Sequence, residues 1–182
     1  MRRQRHVGFI FVALFLLGVE ARVQMAEQQQ ETMRGLSGVA VVVEPLHAEA
    51  EQDGLRAQQL QAAVERQLQE ADIRVLSNDE WSTTLGGPYL YINRAALKKD
   101  YGLYAFSVEV CVDQLVALLR DLEIKQFAET WERREVGTVG VEKLASLEQS
   151  VTTHVGAFMT AYRAVNPVQD DGMALRRNSE KQ

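Results

Sequence analysis

The chain has 182 residues, of which 46% are hydrophobic and 25% are charged, a balance that fits one folded domain and excludes a disordered chain. The formal net charge is −5, and an acidic chain offers no footprint for a phosphate backbone, so nucleic acid is not expected as a partner. Because Cys111 is the single cysteine, neither an intramolecular disulfide nor a thiolate metal cluster can form.

The first 21 residues have the three parts of a secretory signal peptide. Residues 1–6 carry three arginines, and residues 7–19 form an uncharged run of 13 residues, whereas a helix needs about 20 residues to span a bilayer. Small residues favour cleavage after Ala21, with Ala26 as the alternative site, and no cysteine directly follows the run to carry a lipid. The chain is therefore expected to be exported, periplasmic or secreted and not lipidated. An uncleaved membrane tether or a buried core helix is the alternative interpretation.

Loose segments are predicted on both sides of a single domain. Residues 22–36 are rich in glutamine and lack apolar periodicity, which predicts a flexible linker. Residues 167–182 combine proline, glycine and mixed charges, which predicts a disordered tail. The domain is expected over residues 37–166. Without residues 1–21 the net charge is −7, because the removed arginines and Glu20 together contribute +2.

The first half of the domain has the pattern of a β-α-β unit. Residues 38–44 are a β-branched run that predicts a buried strand. Helix formers with apolar residues at four-residue steps predict a helix over residues 55–71, with Asp53 as its cap. Residues 73–76 are interpreted as a short second strand, parallel to the first by the right-handed crossover rule. Residues 77–80 match a capping box, which predicts a brief helical turn.

The second half predicts an antiparallel meander. The clearest pattern lies in residues 104–112, where large apolar side chains at even positions, expected to face the core, alternate with small or polar ones. Strands are also predicted at residues 89–96 and 127–136, and residues 98–102 are expected to form a hairpin loop. Residues 137–140, with two glycines, are interpreted as a strand-to-helix turn, or alternatively as a source of exposed N–H groups for an anion.

A long C-terminal helix completes the predicted α+β fold. Apolar residues recur at steps of three and four from Leu144 to Val165, and Asn166 and Pro167 end the pattern. The expected fold is a β-α-β unit, a three-strand antiparallel meander and this long helix. One mixed sheet would carry the helices on one face.

No catalytic residue, cofactor-binding residue or metal ligand is predicted. His47 and His154 lack the second histidine or carboxylate spacing of a metal site, and no phosphate-binding or nucleophile motif occurs. Cys111 lies in an apolar run, which favours a buried small hydrophobe over a free thiol available for intermolecular pairing.

Two carboxylates invite comparison with an acid–base pair. Glu109 and Asp113 share a strand face, but four residues of strand separate them by about 13 Å, more than the roughly 5–9.5 Å of glycosidic pairs. The simpler prediction is a solvated face of charge pairs with Arg94, Arg133 or Arg134 as cross-strand partners.

Aromatic side chains concentrate in the meander. Core and cross-strand packing is the expected role, but if Tyr89 and Tyr91 fall on an uncovered sheet face they would form an exposed binding surface. The residues are Tyr89, Tyr91, Tyr104, Phe106, Phe127 and Trp131.

Several short motifs carry a resemblance. They are Gly87-Pro88-Tyr89-Leu90-Tyr91, Tyr104-Ala105-Phe106-Ser107-Val108, Thr130-Trp131 with Val136-Gly137-Thr138-Val139-Gly140, and Phe158, Tyr162 and Asn166-Pro167 near the end. From residue 39 to residue 167 the chain resembles a family of bacterial exported proteins without assigned activity. Its element order resembles that of the amino-terminal domain of TolB. The resemblance implies an envelope module and transfers no catalytic residues.

The sequence thus favours a non-enzymatic adaptor or binding module of the cell envelope. Its protein partner would be held by the unpaired sheet face or by the edge strand. The alternative is a carrier of a small apolar ligand, held between the sheet and the C-terminal helix under Val155, Phe158 and Tyr162. A hydrolase is the third hypothesis, and it requires a cleft with converging carboxylates.

Overall fold

A computed structural model describes residues 24–46, 48–53 and 55–167 of the chain. The predicted signal peptide over residues 1–21 and residues 168–182 of the predicted tail lie outside these ranges. None of the helices within them is both long and apolar enough to cross a membrane.

The described residues fold into helices and strands in the predicted α+β order. The strands are β1 (Ala40–Val43), β2 (Tyr89–Lys98), β3 (Leu103–Leu118) and β4 (Asp121–Gly140). Its helices are α1 (residues 24–31), α2 (Ala48–Gln52), α3 (Ala57–Glu70), α4 (Asn78–Thr83) and α5 (Ser146–Val165). Short 3₁₀ turns at Asp100–Gly102 and Val141–Lys143 complete the path.

The strands form one mixed sheet of order β1-β2-β3-β4 within the described residues. β1 runs parallel to β2, with Ala40 beside Tyr89, while β2, β3 and β4 are the antiparallel meander that the alternating pattern predicts. The expected second strand is smaller than predicted. Of residues 73–76 only Val75 pairs with the sheet, through an isolated parallel bridge to Val39.

One face of the sheet carries the core. α3 packs on β1, and α5 packs on β3 and β4. The even-numbered side chains of β3 from Tyr104 to Val112 point to this face, and all but the half-buried Phe106 are buried there, as the alternation predicts. The predicted stripe of α5 is confirmed, because its buried residues are Leu147, Val151, Val155, Phe158, Tyr162 and Val165. The expected arrangement of one mixed sheet with helices on one face is present.

The segment expected to be a flexible linker is structured over residues 24–36. Residues 24–31 are helical, and Met33 is 0% exposed within the core. The Asn166 side chain donates to the Met33 carbonyl at 2.9 Å and accepts from the Gly35 N–H at 2.7 Å, while the Tyr162 hydroxyl donates to the Leu36 carbonyl at 2.6 Å. The prediction was wrong here because a single buried methionine and polar contacts leave no apolar period in the sequence.

Two local predictions also differ from the structure. Arg56, in extended conformation, occupies the N-cap position of α3 without a side-chain cap, whereas Asp53 accepts hydrogen bonds from Lys98 at 2.8 Å and from the Tyr104 hydroxyl at 2.5 Å. Residues 137–140 continue β4 and pair with residues 103–106 instead of forming a turn. Gly137 suits that strand because the Phe106 ring lies 3.0 Å from where a Cβ would be.

The β3–β4 hairpin is longer than predicted and extends past the end of β2. Pairing with β2 ends at Asp113, opposite Tyr89, but β3 and β4 stay paired to Leu118 and Asp121. Residues 116–126 therefore form a two-stranded projection, called the arm below. Apolar side chains at its end are exposed, Leu119 at 98%.

Candidate functional site

Within the described residues β1 and β4 are the edge strands of the sheet, and α3 and α5 leave one sheet face uncovered. In β2 the side chains alternate strictly, with Leu90 and Ile92 fully buried on the core face and Tyr89 and Tyr91 half-buried on the other. Val42 of β1 lies beside Tyr91 on the same uncovered face. The candidate site lies where this face meets the β1 edge.

Within the part of the chain that the structure describes, the backbone of β1 presents unpaired groups at that edge. Ala40 N–H donates to Pro88 and Glu44 N–H donates to Ile92, so even-numbered residues pair with β2. Backbone groups alternate in direction along a strand, so those of Val41 and Val43 face away from β2. Val39 also faces outward, but it pairs with the Arg74 carbonyl and the Leu76 N–H. Within the described ranges no strand continues this pairing beyond Val39.

A capping box turns the chain away from the β1 edge at Ser77. The Glu80 carboxylate accepts from the Ser77 N–H at 2.9 Å, and the Glu80 N–H donates to the Ser77 hydroxyl at 3.4 Å, as the sequence predicts. The Ser77 backbone, with further help from Arg74, lowers the pKa of Glu80 to about 2. α4 thus begins at Asn78, three residues after the bridge at Val75, and no described strand takes the place beside Val41.

Three aromatic side chains form a wall at the end of the uncovered face. The Trp81 ring of α4 lies 6.2 Å from Phe127 in a stacked arrangement and 6.3 Å edge-on from Tyr89, and Tyr89 lies 5.8 Å from Phe127, all between centroids. The Trp81 indole donates to the Gly87 carbonyl at 2.7 Å. A Cβ on Gly87 would lie 3.3 Å from Phe127 and 3.4 Å from Trp81, so only glycine leaves the cluster undisturbed.

The β1 edge and the aromatic wall enclose a groove of about 610 Å³, a volume typical of ligand sites. Residues 40–42 of β1, the aromatic side chains, and Gln61 and Glu65 of α3 are among the residues that line it. A second cavity of about 470 Å³ shares Gln61 and continues past Val43 and Pro45. We call the two together the edge groove.

Beyond the groove the uncovered face is acidic. Arg134 binds Glu109 at 2.7 Å, Glu129 at 2.7 Å and Glu132 at 2.9 Å, so one guanidinium serves three carboxylates. Burial raises the pKa of Glu129, and the neighbouring Glu132 raises it further. The predicted pairing of Glu109 with an arginine across the strands is confirmed for Arg134.

Cys111 lies inside this acidic cluster. Its sulfur and carboxylate oxygens of Glu109 and Glu129 fall within 4.8 Å of one another. Burial raises the pKa of the Cys111 thiol, and the charges of Asp113 and Glu129 raise it further. A thiol held neutral is a poor nucleophile and a poor metal ligand, so the predicted role as a small buried side chain fits its setting.

The tyrosines at the groove floor also lie in negative surroundings. The Tyr91 hydroxyl donates to Glu44 at 2.8 Å. Burial, followed by the nearby Glu44 and Glu109, raises the pKa of Tyr91 to about 12, and burial and Asp113 raise the pKa of Tyr89. The floor of the groove is therefore aromatic, neutral and bordered by carboxylates.

The remaining candidates from the sequence lie elsewhere. His154 lies on α5, 3.8 Å from Glu135, and His47 lies outside the described residues. Arg94 points to the core face instead of pairing on the solvated face, with Glu148 at 3.8 Å. Arg133 stands 5.2 Å from the centroid of the Trp131 ring and not beside Glu109.

The aromatic residues divide between core and groove. Tyr104 and Trp131 are fully buried, whereas Tyr89 and Tyr91 lie on the uncovered face, as the alternative expectation requires, and Phe127 lines the groove beside them. Sequence reasoning missed Trp81 as a member of this surface. Its signal was available, because the capping box places Trp81 on a short helix that ends a few residues before the Gly86-Gly87 turn leading into β2.

The space between the sheet and α5 is filled by side chains. Val155 and Phe158 are fully buried, and Trp131 packs edge-on against Phe158 at 5.6 Å between centroids. Phe158 in turn contacts Tyr162 at 5.8 Å. This packing disfavours the apolar-ligand carrier, which needs a deep pocket under these residues.

Comparison of the chain with protein-family models, curated proteins and solved structures found no match. The resemblance of the element order to the amino-terminal domain of TolB stays a prediction. A function for this chain therefore rests on the geometry of the edge groove.

Proposed function

We propose that this chain is an exported, non-enzymatic binding module of the cell envelope, whose edge groove holds a segment of a protein partner. The observation that carries the proposal is the groove of about 610 Å³, which combines an unpaired strand edge with an aromatic wall. Protein-binding surfaces are enriched in exposed aromatic side chains, and an open strand edge offers backbone hydrogen bonds to a partner.

The polar groups of the uncovered face support binding more than catalysis. Arg134 already neutralises part of the charge on Glu109, Glu129 and Glu132, and the Cys111 thiol is held neutral. A general acid or base works best with a pKa near the operating pH and free access to substrate. Arg134 engages these carboxylates instead of leaving them free to take a proton from a substrate, but the cluster can steer a cationic partner.

Site-specific photo-crosslinking in cells tests the proposal. A benzoylphenylalanine placed at Val42, which is 41% exposed in the groove, is expected to give a discrete adduct with an envelope protein. Val136 is the matched control, because it is a valine on the same sheet face, 78% exposed, on the opposite edge strand β4. No adduct at position 42 beyond that at position 136 would contradict a partner in the groove.

Export has a separate test. We expect the protein in the periplasmic or secreted fraction to begin at Arg22, or at Glu27 if cleavage follows Ala26, which amino-terminal sequencing or intact mass resolves. A protein that retains residues 1–21 in the membrane fraction would support the uncleaved tether instead.

A further inference from the structure

We infer that the partner enters the edge groove as an extended strand that pairs with Val41 and Val43 and carries an aromatic side chain between cationic ones. The inference rests on the proposed binding function and names the kind of segment that the groove accepts. It is carried by three features of the site: the direction of the β1 backbone groups, the shape of the aromatic wall and the sign of the surrounding charge.

The backbone at the β1 edge specifies an extended segment. Val41 and Val43 direct their N–H and C=O groups away from β2, while the bridge at Val39 shows that a parallel neighbour fits this edge. Val75 pairs with Val39, and the chain then turns away from the edge at Ser77. A partner strand can continue this pairing along Val41 and Val43. Four residues of β1 span about 13 Å, so the paired segment is four to six residues long.

The edge lacks the devices that usually block strand addition. Natural edge strands carry lysine, inward-pointing charges, proline or bulges that discourage pairing. The sequence of β1 is Ala-Val-Val-Val, and Pro45 comes only after the strand has ended. By contrast, β4, the opposite edge strand, is rich in charged residues.

The aromatic wall selects one large side chain. Side chains of an added strand alternate between the two faces, so every second one lies beside Ala40 and Val42 over the Tyr89 and Tyr91 rings. Trp81 and Phe127 close the end of this surface. An aromatic side chain in this position stacks on the wall and excludes water, the arrangement expected of a binding hot spot.

The charge around the groove selects cations on either side of that aromatic residue. Among the described residues that line the edge groove, the charged side chains are Glu65 in the larger cavity and Glu51 and Arg56 in the second, so carboxylates outnumber the single cation. Glu44 borders the floor through its bond to Tyr91, and the acidic cluster around Arg134 lies farther along the same face. Lysine or arginine at flanking positions meets these carboxylates and the faces of the aromatic rings.

The same charge disfavours a second copy of this chain as the occupant. Pairing of two β1 edges would bring two copies of Glu44 and of the groove carboxylates Glu51 and Glu65 to one interface, where Arg56 is the one cation among the described residues that line the groove. Like charges brought together at an interface are costly. A cationic segment of another protein is therefore the better complement.

Titration with defined hexapeptides, followed by amide hydrogen exchange, tests the inference. The probe is an acetylated peptide of sequence Lys-Val-Trp-Val-Lys-Val, which places tryptophan and both lysines on one face. We expect saturable binding and at least tenfold slower exchange at the Val41 and Val43 amides. The Val42 amide, which is directed to β2, should not change.

Peptide and protein variants provide the controls. Replacing both lysines of the peptide by glutamate should weaken binding at least tenfold. Methylating the backbone nitrogens of the tryptophan and of the lysine that follows it should abolish binding, because in a parallel pair these N–H groups, and not those of the valines opposite Val41 and Val43, are directed to β1. On the protein, Val42→Lys should weaken binding of the lysine peptide at least tenfold, whereas the matched Val136→Lys should leave it unchanged. Amide spectra of both variants establish that they are folded.

The outcomes separate this inference from the proposed function. Equal affinity for the N-methylated peptide, no binding of the lysine peptide at 1 mM, or no slowing at Val41 and Val43 would overturn it. So would amides of Val41 and Val43 already protected in the free protein, the sign of an occupant from this chain or from a second copy. A crosslink at position 42 alongside any of these results would leave the binding module standing. Absence of both crosslink and peptide binding would remove the two together.

Discussion

Gly87 combines an unusual backbone conformation with a position tight against the aromatic wall. Its φ is +48°, and the space beside its Cα is limited by Phe127 and Trp81. Gly86 also has a positive φ, of +81°, but a Cβ added there would meet nothing within 4 Å. A side chain at either position strains the backbone, and only one at Gly87 also contacts the aromatic rings. This pair allows the contribution of the aromatic packing to be measured.

We predict that Gly87→Ala lowers the free energy of unfolding by about 1 kcal/mol more than Gly86→Ala does. Both substitutions put a side chain in a left-handed conformation at a cost of about 1–2 kcal/mol. Only Gly87→Ala also displaces Trp81 or Phe127. Only this variant should therefore shift Trp81 fluorescence and weaken binding of the lysine peptide. Urea unfolding measures the difference, and equal losses for the two variants would show that the wall adapts without strain.

Glu80 links the geometry of α4 to pH. Hydrogen bonds from Ser77 and Arg74 hold the pKa of this carboxylate at about 2, below its ordinary value of 4.5. A group with a depressed folded pKa stabilises the fold above its unfolded pKa, and this contribution is lost as the pH falls through the folded pKa. The window for Glu80 therefore runs from about pH 4.5 down to about pH 2.

We predict that Glu80→Gln removes part of the acid sensitivity of the protein. The variant should be less stable than the wild type at pH 7, and the difference should shrink between pH 4.5 and pH 2, as wild-type Glu80 becomes protonated. Chemical unfolding at a series of pH values measures both curves. Parallel curves over this window would contradict the assigned role of the capping box.

Arg134 holds together carboxylates that would otherwise repel one another. We predict that Arg134→Met destabilises the protein by about 1 kcal/mol at low ionic strength, a modest figure because the arginine side chain is half exposed and screened by solvent. The loss should shrink in 1 M salt, where the Debye length is about 3 Å. The loss should also shrink at lower pH. Burial already raises the pKa of Glu129, and removal of the arginine raises it further. A carboxyl group whose pKa is higher in the folded state than in the unfolded state stabilises the fold as the pH falls, so the variant regains stability there.

The adjacent Arg133→Met is the control for this prediction. Arg133 stands over the Trp131 ring and not among the carboxylates. Any loss of stability in Arg133→Met should be the same at low salt and in 1 M salt. If both variants respond to salt alike, the effect belongs to net charge and not to the cluster around Arg134.

At the scale of elements, the periodicity of apolar residues predicted the strand β3 and the helix α5, whose buried faces repeat with the period of the element. The alternation in residues 104–112 and the stripe of α5 reflect burial on one face, and burial repeats with the period of the strand or helix. Residues 114–126 were not assigned because Leu, Ala, Arg, Glu and Lys in this stretch lack a strand period. They become strands because the β3–β4 hairpin continues to pair beyond the core. Cross-strand pairing overrides propensity there, and a single sequence does not display the partner.

The arm follows from the same long-range pairing, and its stability differs from that of the sheet. We predict that amides of residues 116–126 exchange at least tenfold faster than those of residues 104–112. A two-stranded ribbon without a packed face is marginally stable, whereas β3 between β2 and β4 is hydrogen-bonded on both sides. Exchange measured by mass spectrometry or NMR checks this. Equal protection would indicate that another chain covers the arm.

At the scale of the whole molecule, the candidate site depends on strand order more than on any motif. The alternation of Tyr89 and Tyr91 with Leu90 and Ile92 was visible in the sequence, and so was the choice between core and open face. That β1 is an edge strand depends on where residues 73–76 leave the sheet, which is a property of the complete topology. The sequence therefore predicted members of the groove but not the groove itself.

Residues 24–36 show how a segment without periodicity still completes the fold. Met33 enters the core that the sheet shares with α3 and α5, and Asn166 at the end of α5 ties the Met33 and Gly35 backbone to the helix. The Thr32 hydroxyl also donates to the Thr130 carbonyl of β4 at 3.2 Å. The two ends of the described chain are thus joined at one end of the core.

We predict that Met33→Ala lowers the free energy of unfolding by about 2–5 kcal/mol, the usual cost of truncating a large buried side chain. Met25→Ala is the matched control, because Met25 belongs to the same segment but is 62% exposed, and its loss should stay within about 0.5 kcal/mol. Urea unfolding of both variants separates the two interpretations of this segment. If residues 22–36 were a flexible linker, the variants would be equally stable; if the segment closes the core, the methionine that is 0% exposed must be the one that matters.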